Sequence, residues 1–211
     1  MDRHKRMRDP GFRDRLWARR FDPHVAPVNR LVDDLARQRR MRLPYVCPLY
    51  GGVEARVLFL FQDPGPGTDD AAKGSGFLSS ENNDPSAMVF AQCMDAAGLD
   101  VSRALTWNSY PWFLPTGMTR PNKTLLREGV RPLLQLLDLL PGLKAVCPMG
   151  GPAIEGWALA VESQPALASR YAVFNGRHTS PLGIRRGLRE TREEGIAFVT
   201  EIMKKARDAS A

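Results

Sequence analysis

Short apolar runs alternate with helical periodicity along most of the chain. The clearest run spans residues 56–61 and is bounded by turn-forming residues, which is typical of a strand buried in a parallel sheet. Further strand candidates follow at 104–107, 143–147 and 171–174. Apolar residues at helical spacing predict helices at 27–40, 85–98, 123–140 and 188–207. A further helix is predicted to begin at the break 150–152 and to run through Trp157. This alternation predicts a three-layer α/β/α sandwich around a central, mostly parallel four-stranded sheet.

The helix at 85–98 has recognisable ends. Asp84 is a residue type that caps helix N-termini through its side chain, and Pro85 fits the first helical position. Gly98 fits the C-terminal stop, because glycine readily adopts the left-handed conformation found there.

Polar residues break three of the predicted strands at their carboxyl ends. Asp63 follows the first run, Asn108 ends the second, and His178 follows the last. In parallel α/β sheets, ligands bind outside the carboxyl ends of the strands. We therefore expect these three side chains to converge on one rim of the sheet.

Charge is concentrated near the N-terminus. The chain holds 30 Lys/Arg against 23 Asp/Glu, a formal net charge of +7. Residues 1–40 hold twelve basic and six acidic residues, so nearly all of the excess lies there. We expect a basic N-terminal arm at 1–25 and a single domain at 26–211. Such charge suits a polyanion, so the arm is either a DNA-contacting segment or a solvated tail.

Composition disfavours several other classes of protein. No stretch of about 18 apolar residues occurs, so we expect no membrane span. The basic N-terminus lacks the apolar core of a secretory signal, so we expect a cytoplasmic protein, nucleoid-associated if prokaryotic. The three cysteines, Cys47, Cys93 and Cys147, are too scattered for a disulfide framework or a paired metal-ligand pattern. We expect a monomer without metal or cofactor.

The first segment capable of chemistry is Gln62-Asp63-Pro64-Gly65-Pro66-Gly67. Its prolines stiffen the turn, while Gly65 and Gly67 let a backbone or a ligand come close. Asp63 could hold a water for attack, the backbone N–H groups could meet a phosphate, or Asp63 could simply cap the turn. The segment is not a nucleotide P-loop, because the Gly-Lys-Ser/Thr ending is absent.

The second such segment is His178-Thr179-Ser180-Pro181-Leu182-Gly183, which Arg185 and Arg186 follow. An imidazole here could donate a hydrogen bond to developing negative charge, and the Ser180 hydroxyl could contact a phosphate. Leu182 is unusually apolar for an exposed loop. Beside cations it could serve as a wedge between DNA bases, or it could fold back onto the core.

Two further residues could contact a base. The Asn108 amide matches the N3–H donor and O4 acceptor of uracil and would leave cytosine's reversed pair unsatisfied. Its alternative role is to satisfy local backbone. Phe77 follows two glycines, Gly74 and Gly76, and is either a flat stacking surface for a base or a core residue.

Taken in order, these segments resemble the uracil-DNA glycosylase superfamily over about residues 53–188. Ordinary members carry Gln-Asp-Pro-Tyr-His after the first core strand, where this chain has Gln62-Asp63-Pro64-Gly65-Pro66. They carry His-Pro-Ser-Pro-Leu near the end, where this chain has His178-Thr179-Ser180-Pro181-Leu182, and Arg186-Gly187 continues the similarity.

The resemblance implies a role for each residue. Asp63 would position the attacking water and stabilise the sugar cation, and His178 would hydrogen-bond O2 of the leaving base. Phe77 would stack on the flipped base, Asn108 would bind its edge, and Leu182 would fill the gap in the DNA stack. Further base contact is implied for Gln62, and DNA contact for Gly65, Pro66, Gly67, Ser180, Arg185 and Arg186. The family needs no metal for this chemistry.

The chain departs from the ordinary pattern at two places. Gly65 stands where those enzymes have a Tyr that blocks the thymine methyl group, so the pocket is expected to be open at the C5 edge of the base. The Pro-Gly pairing resembles the mismatch-specific, single-strand-selective and thermostable branches, which often replace the Asp. Thr179 stands where Pro is usual. Three cysteines do not match the four of the iron–sulfur branches.

We therefore expect a monofunctional DNA glycosylase of base-excision repair that excises uracil, with other deaminated or C5-substituted pyrimidines as further candidate substrates. The alternative is a non-catalytic DNA-damage-binding module with the same fold. A third interpretation is a small-molecule α/β protein that binds a phosphate at the 65–67 turn.

Overall fold

The computed structural model describes residues 4–70, 73–185 and 189–211. Its helices are α1 (Pro10–Arg19), α2 (Ala26–Arg39), α3 (Pro85–Ala97), α4 (Lys123–Asp138), α5 (Gly151–Ser163), α6 (Leu167–Arg170) and α7 (Arg192–Ala209). Its strands are β1 (Tyr45–Val46), β2 (Val57–Phe61), β3 (Phe77–Leu78), β4 (Ala104–Asn108), β5 (Ala145–Pro148) and β6 (Ala172–Val173).

Four strands form the central sheet in the order β4-β2-β5-β6, and every neighbouring pair is parallel. Phe59 and Phe61 on one face of β2 contact Phe90 of α3, and α3 packs against α7. The other pair, α4 and α5, pack on each other, and α5 also contacts β2. Helices flank the sheet, which confirms the three-layer α/β/α architecture that the sequence predicts. None of the helices in the described part of the chain is long and apolar enough to cross a membrane.

The predicted ends of α3 are confirmed. The Asp84 side chain accepts hydrogen bonds from the backbone N–H groups of Ser86 and Ala87, both at 2.9 Å. Gly98 ends the helix in the left-handed conformation, with φ of 62°. The last helix begins later than predicted, at Arg192, because Thr191 and Glu194 form a reciprocal capping box there.

The region predicted as an arm contains a helix that packs on the rest of the chain. Trp17 of α1 lies edge-on to Tyr45 and tilted against Phe77, with ring centroids 5.5 and 5.3 Å apart. The backbone at Gly76 passes so close that a Cβ there would lie 2.5 Å from the Trp17 ring. These contacts join α1 to a small second sheet, in which β1 pairs parallel with β3. The division into an arm and a domain stays a prediction.

A buried asparagine ties α2 to the small sheet. The Asn29 side chain is completely buried. Its Nδ2 donates to the carbonyls of Arg20 at 2.6 Å and Val46 at 3.0 Å, and its Oδ1 accepts from the Val46 N–H at 2.8 Å. The amide thus satisfies three backbone groups that have little access to water.

We expect Asn29→Ala to lower the free energy of unfolding by about 3 kcal/mol, because it leaves buried backbone groups without partners. The matched control is Asn122→Ala, which removes the N-cap of α4 at a cost of about 1 kcal/mol. Urea unfolding followed by circular dichroism measures both losses. Equal losses would show that the buried amide contributes no more than an ordinary cap.

Candidate functional site

A cleft of about 690 Å³ opens at the carboxyl ends of β2 and β4. Asp63, Asn108 and His178 all line it. Their expected convergence on one rim of the sheet is therefore confirmed.

Backbone hydrogen bonds continue the sheet ladder past the ends of the strands. The Ser109 N–H donates to the Phe61 carbonyl at 2.7 Å, and the Tyr110 N–H donates to the Gln62 carbonyl at 2.9 Å. In register, Phe61 of β2 pairs with Asn108 of β4. This pairing places the Gln62-Asp63 turn beside the Asn108 side chain at the mouth of the cleft.

Asp63 is an incompletely satisfied carboxylate. Its Oδ1 is buried and has no hydrogen-bond partner among the described residues. Burial raises the pKa of Asp63 to about 6, an effect that the Gln62 side chain only partly opposes. The carboxyl is therefore mostly ionised at neutral pH but retains affinity for a proton. These properties suit a group that accepts a proton from water or faces a developing cation.

His178 is held in one orientation. The Ser180 N–H donates to Nδ1 of His178 at 3.1 Å, which leaves Nε2 as the nitrogen that carries hydrogen in the neutral ring. The ring also packs edge-on against Phe61, with centroids 5.6 Å apart. Burial lowers the pKa of His178, while the nearby Asp84 carboxylate opposes that shift. At neutral pH the imidazole is a neutral donor at Nε2.

The segment after His178 is a tight turn that exposes Leu182. The Ser180 hydroxyl accepts from the Gly183 N–H at 3.1 Å, and the Ser180 carbonyl accepts from the Ile184 N–H at 2.9 Å. The Leu182 residue is 89% exposed, so the interpretation that it folds back onto the core is wrong. Arg185 is exposed as well. The predicted contact residue Arg186 lies outside the described residues.

Asn108 is only 4% exposed and lines the cleft. A buried amide in the wall of a cleft is suited to binding a polar group of a ligand.

The structure does not bring Phe77 to the cleft, which corrects its predicted stacking position. Phe77 is completely buried on the far side of β3 against Trp17, whereas its neighbour Leu78 lines the cleft. Successive residues of a strand point to opposite sides, so Leu78 faces the cleft and Phe77 is a core residue. Further apolar lining comes from Phe90, Phe113, Leu114 and Met118, none of which sequence reasoning identified.

The turn after Asp63 leaves space in the cleft. Gly65, Pro66 and Gly67 all line it. Gly65 has φ of −75° and ψ of 159°, which any residue can adopt, and a Cβ there would meet no atom within 4 Å. Neither strain nor crowding requires glycine at this position. Its effect is to leave the adjoining wall open.

Asn82 is a second buried amide in the cleft that the sequence did not reveal. It is 3% exposed, and its Nδ2 donates to the Phe77 carbonyl at 2.9 Å. Its Oδ1 has no hydrogen-bond partner among the described residues. No sequence signal distinguishes it from a loop asparagine. No cluster of three or more His, Cys, Asp or Glu suited to a metal ion occurs in the described residues.

No protein-family model matches this chain, and no curated protein matches it.

We expect Asp63→Asn to stabilise the protein in a pH-dependent way. Folding raises the pKa of this carboxyl from 3.8 to about 6, so the native state binds the proton more tightly than the unfolded chain. Wild-type stability is therefore lost as pH rises through this window, whereas asparagine does not titrate. The gain from the substitution should be about 1–2 kcal/mol larger at about pH 8 than at about pH 4.5.

Urea unfolding at the two pH values measures this difference. Asp14→Asn, at an exposed position of α1, is the matched control for the same change of side chain away from the cleft. The same gain at both pH values would contradict the assignment of a destabilised, ionised Asp63.

Proposed function

We propose that this protein is a monofunctional DNA glycosylase that hydrolyses the bond between uracil and its deoxyribose. Other deaminated or C5-substituted pyrimidines are further candidate substrates. One observation carries the proposal: an ionised Asp63 carboxylate whose Oδ1 has no partner among the described residues, a neutral His178 donor and the buried Asn108 amide line one cleft. The resemblance of the segments around these residues to the uracil-DNA glycosylase superfamily supports it.

The three groups match the charges of this reaction. As the glycosidic bond breaks, the sugar gains positive charge and the departing base gains negative charge. The Asp63 carboxylate stabilises the sugar cation, directs a water to its C1′ carbon and accepts the proton that this water loses. The Nε2–H of His178 donates to O2 of the departing base and stabilises its anion. The products are an abasic site and the free base.

Selection of the base falls to Asn108 in this proposal. Its amide pairs with the N3–H and O4 of uracil, and cytosine would leave two buried polar groups unpaired, which is costly. Leu78 supplies an apolar surface beside the base in place of the expected aromatic ring. Gly65 leaves the wall open to a C5 substituent.

In this proposal, the exposed turn after His178 contacts DNA, and the net positive charge of the chain attracts its phosphates. Leu182 enters the base stack when the target nucleotide flips out, at a cost of about a few kcal/mol that is smallest for mispaired bases. Ser180 and Arg185 meet phosphates beside it, and DNA contact by Arg186, which lies outside the described residues, stays an expectation from the resemblance. No lysine lines the cleft in the described ranges, which supports hydrolysis rather than an imine intermediate.

The first test is base release from oligonucleotides that carry one uracil, 5-hydroxymethyluracil or hypoxanthine, or a thymine opposite guanine. Alkali then converts each abasic site into a strand break. We expect breaks at uracil, and we expect Asp63→Asn to lower single-turnover excision by about 10²-fold or more while DNA binding stays within about twofold.

Asp14→Asn is the control and should excise uracil like the wild type. Unchanged excision by Asp63→Asn would contradict the assignment of Asp63 as the catalytic carboxylate. Binding to uracil or abasic DNA without breaks on any substrate would instead support the non-catalytic damage-binding module. Absent or salt-insensitive DNA binding would favour a small-molecule protein.

We expect Gly65→Tyr to fold normally, because the backbone there is extended and a Cβ would meet no atom within 4 Å. The ring should narrow the cleft at the C5 edge, so excision of 5-hydroxymethyluracil should fall by about tenfold more than excision of uracil. Gly65→Ala is the matched control for loss of glycine itself. An equal fall in the excision of both bases would contradict the inference that the cleft is open beside Gly65.

A further inference from the structure

Arg177 lies at the base of the turn 178–185. Its Nη1 donates to Oε2 of Glu190 at 2.5 Å and approaches the Ile184 carbonyl at 3.4 Å. Its guanidinium lies over the Phe198 ring of α7, 4.3 Å from the centroid. Arg177 thus connects both sides of the turn to the helix beneath it.

These contacts indicate an internal role rather than a contact with DNA. The side chains of Arg177 and Glu190 are only 18% and 20% exposed. Arg185, eight positions along the same segment, is exposed and makes no ion pair within the described residues. The two arginines of one loop are therefore arranged for different tasks, one facing inward and one facing solvent.

A continuous chain of hydrogen bonds joins the imidazole to the residue that Arg177 holds. The Ser180 N–H donates to Nδ1 of His178, and the Ser180 carbonyl accepts from the Ile184 N–H. The Ile184 carbonyl in turn faces Arg177. Displacement of Ile184 would move the group that orients the imidazole.

The same residue also determines where Leu182 points. Ile184 is completely buried, and its carbonyl lies against Gly195 of α7, where a Cβ would be 2.0 Å away. Leu182, two residues earlier, is 89% exposed. Ile184 therefore anchors the turn from which Leu182 projects.

We propose that Arg177 is a positioning residue that fixes this turn, so that the Nε2–H of His178 and the exposed side chain of Leu182 are held as one unit. The link to catalysis rests on the proposed glycosylase function. In that function, insertion of Leu182 and placement of the His178 donor both depend on the ion pair of Arg177 with Glu190. Arg177 itself touches neither base nor sugar in this scheme.

The first experiment does not depend on activity. Amide hydrogen exchange of Ser180, Gly183 and Ile184 is measured in the free full-length protein, together with the tautomer of the His178 ring by nitrogen NMR. We expect Arg177→Met and Glu190→Gln to speed exchange at these amides by about tenfold or more and to reduce the Nε2–H tautomer, with α4 unchanged. Arg177→Lys keeps the positive charge but loses the planar guanidinium, so its effect should be smaller than that of Arg177→Met.

Two controls separate this role from general effects of charge. Lys204→Met removes a half-exposed cation of α7 that is paired with Glu201 at 4.0 Å, and it should change neither the amide exchange nor the His178 tautomer. Arg185→Met should leave exchange unchanged but weaken DNA binding and reduce its salt dependence.

The second experiment compares uracil paired in a duplex with uracil in a single strand. Only the duplex requires a base pair to be opened and its place in the double helix to be filled, so Arg177→Met should lower single-turnover excision about tenfold more in the duplex, as Leu182→Ala should. Unchanged exchange in Arg177→Met would overturn the anchoring role. Faster exchange with equal losses on both DNAs would overturn the coupling to Leu182. If the wild type excises no base, the glycosylase proposal fails, and the exchange experiment still decides whether Arg177 fixes the turn.

Discussion

The parallel register of β2 with its two neighbours is the constraint on which the site depends. Beyond the strands, the Met149 N–H donates to the Leu60 carbonyl and the Gly176 N–H to the Pro148 carbonyl, both at 2.8 Å. These bonds align the rim that bears the polar residues of the cleft. Side chains alternate along a strand, so a slip of one residue would direct Trp107 instead of Asn108 toward the cleft.

The polar floor of the cleft opposes the stability of the fold. Oδ1 of Asp63 and Oδ1 of Asn82 are buried without partners in the described residues, and each such group costs about 1–3 kcal/mol. The surrounding core offsets this cost, because β2 and the helices on its faces bury an almost unbroken apolar layer. Unsatisfied groups that persist in such a setting are expected where a ligand completes them.

Local signals allowed much of the fold, and three of the cleft residues, to be predicted from the sequence. The apolar runs marked the strands, and polar breaks at their ends located Asp63, Asn108 and His178. The position of Phe77 could not be derived in this way. It depends on a two-residue strand that pairs with β1, about thirty positions earlier, and on Trp17 from a helix that the charge pattern concealed. Contacts so distant in the chain leave no periodicity, and a one-residue difference decides whether Phe77 or Leu78 faces the cleft.

Gly195 shows how closely the turn at 178–185 is fitted to the fold. Glycine inside a helix costs about 1 kcal/mol relative to alanine, and Gly195 lies in α7. The Ile184 carbonyl supplies the reason, since any Cβ at Gly195 would push it away. A displaced Ile184 would loosen the hydrogen bonds that orient His178 and the anchor from which Leu182 projects. The helix therefore carries an unfavourable residue where the Ile184 carbonyl packs against it, and together with the contact of Phe198 with Arg177 this fixes the turn against α7.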